Sequence, residues 1–499
     1  MSRAAKQPSF IQQRRAGILL HPTSLPGGHG NGDIGPEAFH FVDFLKTCGA
    51  SVWQMLPVGP THEGGSPYMG LSVLAGSPHL ISLQLLVDWG WLRKNELKGD
   101  NKLAALQHAA TQFSSRADVT AKQEFAEFVQ RHKSWLEDFT LFQAIREREQ
   151  GRSWLDWPKP LRDKQAKAIA DVKKELHSNI EQIQFQQFVF FKQWLSLKQY
   201  ANDNGVLIFG DMPIFVALDS AEVWAHREYF DLAADGHPRT IAGVPPDYFS
   251  ATGQRWGNPH YNWPRMSQDD FLWWRNRIGG SLELFDLIRV DHFRGFEAYW
   301  QIEADAETAI NGQWVKAPGE ALFTSLLKYF GELPFVAEDL GTITEEVDAL
   351  REQFGWPGMK ILQFAFDGNV SNPYLPHNHT VNSVVYTGTH DNDTTLSWFE
   401  SLSEHDKQGI YEYLGTKNDP MPWALMRSAL ASTAHMAVIP MQDLLSLGRG
   451  YRMNTPGSTK GNWSWRFQWP QVHGDAAAHF RHLVRMYGRE VEVEVPPAK

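Results

Sequence analysis

Eight short apolar runs, most of them bordered by Gly, Pro or an acidic residue, constrain this chain more than any other feature. They are AGILL (16–20), SVWQML (51–56), VLIFG (206–210), LIRV (287–290), FVAE (335–338), MKILQF (359–364), SVVYT (383–387) and MAVIP (436–440). Each has four to six residues, mostly branched, aliphatic or aromatic, with little polar alternation. That is the pattern of parallel strands buried on both faces. Segments with helical spacing lie between them, as in 36–47, where Phe39, Val42, Phe44 and Leu45 share a face. Strands alternating with helices predict a parallel α/β sheet, and eight of them predict a closed (β/α)8 barrel. Such a barrel uses about 250 residues. The chain has 499, so about half of it must be insertion.

The reading therefore makes 1–499 a single catalytic barrel domain with two large insertions. The first, 57–205, is expected to be a helical subdomain after the second strand. Within it Phe125, Phe128, Val129, Trp135, Leu136, Phe139 and Phe142 are spaced as on one face of a long helix ending near Gly151, and a second helical stretch runs over roughly 163–203. The other insertion, 212–286, after the third strand, is mixed and loop-rich and holds the segment HPRTIAGVPPDYFSATGQRWGNP. Residues 475–487 read as a terminal helix, and no separate C-terminal β-domain is expected.

Composition excludes several classes. Lys plus Arg is 47 against 57 for Asp plus Glu, a formal charge of −10, with no basic block, so the chain lacks the stripe that phosphate contacts require. The lone Cys48 rules out an intramolecular disulfide and a cysteine-rich metal site. No apolar stretch reaches the ~18–20 residues of a membrane span, and the basic N-terminus lacks the apolar run of a secretion signal. The expected location is cytoplasmic, with neither nucleic acid nor membrane as a partner. Aromatic residues are plentiful, with 20 Trp, 13 Tyr and 30 Phe. Many stand in segments rich in Gly, Pro and Asn, such as Trp256, Tyr261 and Trp263, or Trp463 and Trp465. Ring faces on loops suit a ligand with apolar faces and polar edges, such as a sugar, although loop packing would use them too.

Carboxylates stand at or just past the ends of several predicted strands: Asp211 after VLIFG, Asp291 after LIRV, Glu338 closing FVAE and Asp391 after SVVYTGTH. In a (β/α)8 barrel these ends converge on the active-site mouth. One Asp alone could simply cap the following helix; four together, beside Arg289, His292 and His390, read as chemistry. Arg289 and Asp291 are two apart on one strand and leave on the same face, so the guanidinium should keep that carboxylate ionised. Glu338 follows apolar FVA, where a raised pKa suits a general acid. Periodicity leaves open whether Glu338 or its neighbour Asp339 points inward. Two carboxyls in these roles describe glycoside chemistry. Competing motifs are weak. Gly30 to Gly35 matches G-x-G-x-x-G but begins well past the strand, and the acidic residue expected after the next strand is missing.

At these residues the chain resembles the amylomaltases, the 4-α-glucanotransferases of glycoside hydrolase family 77 in the α-amylase clan. The resemblance is carried, in family order, by GILLHPTSLPGGHGNGDIG, SPYMG, GDMPIFVA, the Tyr248/Trp256 loop, RVDHFRGF, AEDLG, YTGTHDNDTT, RMNTPG and NWSWR. It implies Asp291 as nucleophile, Glu338 as acid/base and Asp391 as a third carboxylate gripping sugar hydroxyls. His292 and His390 would hydrogen-bond the sugar, and Arg289 would support Asp291. Ser66, Tyr68, Asp211, Trp256 and Asn454 match positions lining the donor site, while Tyr248 and Phe249 match an aromatic loop on the acceptor side. The implied reaction moves a segment of an α-1,4-glucan to the 4-hydroxyl of another glucan or of glucose, with no cofactor and no metal. The alternatives are an α-glucan hydrolase of the same clan and an inactive glucan-binding protein.

Overall fold

Each of the eight apolar runs forms a strand, and their burial shows why. In the computed structural model, which describes residues 11–97, 101–246, 250–416 and 419–491, every residue of Arg15–Leu19 and of Met436–Pro440 is buried. The strands in chain order are β1 (Arg15–Leu19), β2 (Val52–Gln54), β3 (Leu207–Pro213), β4 (Thr240–Val244), β5 (Gln254–Pro259), β6 (Leu287–Asp291), β7 (Ala298–Glu303), β8 (Gly312–Lys316), β9 (Phe335–Ala337), β10 (Gly358–Ile361), β11 (Ser383–Tyr386) and β12 (Met436–Pro440). Eight of them make one parallel sheet in the order β10-β11-β12-β1-β2-β3-β6-β9. Register is tight where β1 meets β2: a Cβ on Gly17 would stand 2.8 Å from the Cβ of Val52.

The two edges of this sheet, β9 and β10, come together and close the barrel. The Ala337 N–H donates to the Pro357 carbonyl at 2.9 Å. The next link comes from a side chain, because the Met359 N–H donates to the Asp339 carboxylate at 2.7 Å. A Cβ on Gly358 would run into that same carboxylate, so the glycine is what lets it reach the seam. Asp339 is thus turned into the barrel wall, with the Arg351 guanidinium 3.3 Å away.

Between β2 and β3 the chain is mostly helical. The apolar face that the spacing predicts over Phe125–Phe142 belongs to two helices, Val119–Arg131 and Lys133–Arg148, which break at His132. The break falls among the five residues between Val129 and Trp135, where the three-and-four spacing lapses. The later stretch is likewise two helices, Ala166–Glu175 and His177–Asp203. The longer one holds the loop after β2 with two buried amides. Gln187 accepts from the Gly76 N–H and donates to its carbonyl, and Gln193 does the same at Ser82, all four bonds at 2.8–2.9 Å.

A second sheet is antiparallel, in the order β5-β4-β7-β8. Half of it comes from the segment between β3 and β6 and half from the segment after β6, so the irregular region of the chain extends past residue 286. The C-terminal helix is Gly474–Met486. Among the described residues no helix is long and apolar enough to cross a membrane.

Candidate active site

The polar residues that end the barrel strands form one connected network. Arg289, on β6, is buried and stands between two carboxylates: Nη1 donates to Asp211 of β3 at 2.7 Å, and Nη2 lies 2.8 Å from Asp291. Burial works against its charge, but Asp211 and Asp291 outweigh burial and raise its pKa well above the ordinary value. The Tyr68 hydroxyl donates to the same Asp211 oxygen at 2.6 Å and lies 2.9 Å from His390 Nε2. The Tyr68 and His390 rings are stacked, 5.3 Å apart. His390 Nε2 reaches Asp391 at 3.4 Å, and Asn454 donates to the other Asp391 oxygen at 2.6 Å.

Glu338 sits just past β9 and takes two peptide donors, the His292 N–H at 2.6 Å and the Leu340 N–H at 3.1 Å. The first depends on an unusual backbone. His292 has φ = 51°, a left-handed conformation that non-glycine residues seldom adopt. This turn directly after Asp291 aims the peptide N–H at Glu338, so the two carboxyls are fixed to one short piece of chain. The His292 ring meets the edge of Trp256 on β5, with centroids 4.9 Å apart.

Of the residues selected from the sequence, Asp211, Trp256, Arg289, Asp291, His292, Glu338, His390, Asp391, Asn454 and Tyr68 all join this network. Ser66 opens the turn that carries Tyr68, its carbonyl accepting the Met69 N–H at 3.1 Å. Tyr248 and Phe249 lie outside the described residues. The choice between Glu338 and Asp339 is resolved by direction, since Asp339 closes the barrel seam.

The electrostatics differ in one respect from the sequence reading. Arg289 was expected to keep Asp291 ionised, but it is shared with Asp211. Burial, reinforced by Asp211, Glu338 and Asp391, pushes Asp291 up to about 8 against the guanidinium. Burial also raises Glu338, opposed by Arg289 and by its two peptide donors. His292 is pushed down to about 3 and His390 is lowered, both chiefly by burial, so both rings are neutral at neutral pH.

Several participants were not selected from the sequence. Arg452 donates to the Asp391 carbonyl at 2.7 Å, and Trp463, noted in the sequence only as a loop aromatic suited to a sugar, packs 6.0 Å from both Tyr68 and His390. Gln54, the last residue of β2, accepts from the Tyr386 hydroxyl at 2.9 Å inside the barrel. His21, just after β1, is buried and pushed down to about 3, first by burial and then by nearby His390. The available signals were a lone polar residue inside an apolar run for Gln54 and one closing a run for His21. Three buried atoms of this region, His21 Nδ1, Asp211 Oδ1 and His292 Nε2, have no partner among the described residues. Buried polar atoms of this kind call for a hydrogen-bonding partner, water or ligand. No group of three or more His, Cys, Asp or Glu among the described residues is placed to hold a metal ion.

Comparison with known proteins agrees with this geometry. A family model described as 4-alpha-glucanotransferase, of the glycoside hydrolase family 77 type, matches residues 20–472. The chain is 48% identical over 489 residues to a 4-alpha-glucanotransferase of Thermus thermophilus, covering 94% of this chain and 98% of that one. It is 46% identical over 501 residues to the enzyme of that name from Synechocystis, covering 97% and 99%. Among solved structures it is similar to the amylomaltase of Streptococcus agalactiae in complex with acarbose. There the TM-score is 0.92 at 38% identity, covering 96% of this chain and 100% of that one.

Proposed function

Since the chain belongs to the 4-α-glucanotransferases of glycoside hydrolase family 77, we propose that it transfers α-1,4-glucan segments by a retaining double displacement on Asp291. In the first half-reaction Asp291 attacks the anomeric carbon while Glu338 protonates the departing glycosidic oxygen, leaving the glycosyl unit esterified to Asp291. In the second, the 4-hydroxyl of an incoming glucan or glucose attacks that carbon. Glu338 takes its proton, and Asp291 is released with retention of configuration. The donors would be maltooligosaccharides or the chains of amylose, glycogen or starch. The work is assigned to the cytoplasm.

The observation that carries this reading is the left-handed turn at His292. It hangs Glu338 on the peptide N–H next to Asp291, leaving one carboxyl against a guanidinium and the other against neutral donors. Both are raised by burial, so the cluster holds a proton at neutral pH. We place it on Glu338, whose direct contacts are peptide N–H groups, and the negative charge on Asp291, which has Arg289 at 2.8 Å. That division is the starting state for attack by one group and protonation by the other. Asp391, held by Asn454, would grip sugar hydroxyls as the oxocarbenium-like charge develops, with the neutral His292 and His390 as hydrogen-bond partners. Asp211, Tyr68, Ser66 and Trp256 would line the donor side, and Tyr248 and Phe249 the acceptor side. Binding an acceptor sugar there ahead of water favours transfer over hydrolysis.

Incubation with maltotriose tests the activity. Longer oligosaccharides together with glucose are expected. Only shorter sugars would assign a hydrolase, and an unchanged substrate would assign a binding protein.

A further inference from the structure

Asp443 is a buried carboxyl that the proposed mechanism does not use. It lies just past β12, in the short helix Met441–Leu444, and is 1% exposed. Its three donors are neutral. Thr387 Oγ1 and Thr395 Oγ1 both donate to Oδ2 at 2.6 Å, and the Thr395 N–H donates to Oδ1 at 2.8 Å. Burial raises its pKa, and the threonine donors pull the other way. Burying a carboxyl carries a desolvation cost that an apolar side chain would avoid.

The placement of the donors shows what this carboxyl holds. Thr387 follows β11 directly, and Thr395 opens the helix Thr395–Ser401. They are the two ends of one turn, and His390 and Asp391 are carried between them. A single oxygen, Oδ2, ties both ends together. The side chain of Asp391 is 45% exposed, so packing does little to aim it and its direction follows from the backbone of the turn. The chain after β12 also holds the tip of the turn. The Asn454 N–H donates to the His390 carbonyl at 3.1 Å, and Arg452 to that of Asp391 at 2.7 Å.

We infer that Asp443 is a positioning residue for transfer, holding the two ends of the 387–395 turn so that Asp391 meets the developing oxocarbenium-like charge. It acts through Asp391 and makes no contact with the sugar. This role rests on the one given to Asp391 in the proposed function.

The test compares full-length Asp443→Asn, Asp391→Asn and the double variant, with α-maltotriosyl fluoride as donor and maltose as acceptor. Fluoride leaves without a proton, so its release reads attack by Asp291 and the charge that Asp391 faces. Asp443→Asn keeps the volume and one acceptor for Thr395. It should lower kcat by about 10-fold or more, toward the roughly 10²-fold loss that a displacement of about 1 Å brings, with KM within about twofold. In the Asp391→Asn background the same change should cost less than about twofold, because the group it aims is gone. A purely structural role predicts equal losses in both backgrounds. Thr387→Val and Thr395→Val each delete one hydroxyl at nearly constant shape and should slow the parent in the same way; they carry the test if Asp443→Asn does not fold. Unchanged turnover in Asp443→Asn or in both threonine variants, or losses that multiply in the double variant, would overturn the role of Asp443 while the glucan reading stands. Fluoride release at the parent rate from Asp391→Asn would instead overturn the role of Asp391.

Discussion

Glu338 and Asp339 are adjacent carboxyls with opposite duties, and exchanging each in turn should separate catalysis from stability. Asp339 accepts the buried Met359 N–H at 2.7 Å, a charge-assisted bond that closes the β9–β10 seam, and lies 3.3 Å from Arg351. A hydrogen bond to a charged group contributes about 1.5–3 kcal/mol, and leaving its buried donor unsatisfied costs about 1–3 kcal/mol. Arg351 retains Asp348 and the Trp356 carbonyl, both at 3.1 Å, so it is not stranded. Burial raises the pKa of Asp339, which shows that the charged carboxylate also carries a desolvation cost. The net loss for Asp339→Ala is therefore put near the lower end of values for broken buried pairs, about 3 kcal/mol. Asp339→Asn, which keeps an acceptor for Met359, should lose roughly half of that. Glu338→Gln should behave in the reverse way, with little change in stability and transfer slowed about 10²–10⁴-fold. Urea unfolding followed by tryptophan fluorescence reads the first quantity through the midpoint at constant m-value, and maltotriose disproportionation reads the second. The reasoning is refuted if Asp339→Ala is as stable as the parent, or if it abolishes turnover while Glu338→Gln spares it.

Asp291→Ala should cut transfer by about 10³-fold or more in a folded protein, because the covalent route is removed; near-normal turnover in an assay of the purified variant would exclude the assignment. Burial raises both Asp291 and Glu338, so above the pH at which free carboxyls ionise the folded pair holds a proton that the unfolded chain has lost, and the pair's contribution to stability falls as pH rises. Asp291→Asn should therefore gain in stability relative to the parent from pH 5 to pH 8; equal midpoints at both pH values would contradict the burial argument. Tyr248→Ala or Phe249→Ala should raise the ratio of hydrolysis to transfer, measured as reducing-end release against oligosaccharide ladders, whereas an unchanged ratio in both variants would remove their acceptor role.

The barrel was legible because its strands are buried on both faces, which leaves continuous apolar runs such as MAVIP and SVVYT in the sequence. The carboxylates were legible for the same reason, as polar residues ending apolar runs. The second sheet was not. Gly312–Lys316 has no buried residue, and the pairing of β4 with β7 that joins the two halves of the sheet spans the barrel strand β6 in the sequence. The break at His132 hid inside a spacing that resumes on its far side. Gln187 and Gln193 look like ordinary helical residues, and only the long helix crossing the loop after β2 makes them peptide-binding amides. Direction was hidden as well. That Asp339 turns into the wall depends on Gly358, on a strand some twenty residues later, leaving room for it.

The central claim, that Asp291 carries the glycosyl unit and Glu338 handles the proton, is tested most directly by trapping. An α-glucosyl fluoride needs no proton to leave, so in Glu338→Gln the first displacement should proceed while activation of the acceptor is lost. Peptide mass mapping of the reacted variant is predicted to find the glycosyl adduct on Asp291. An adduct on any other residue, Asp339 included, would contradict the account.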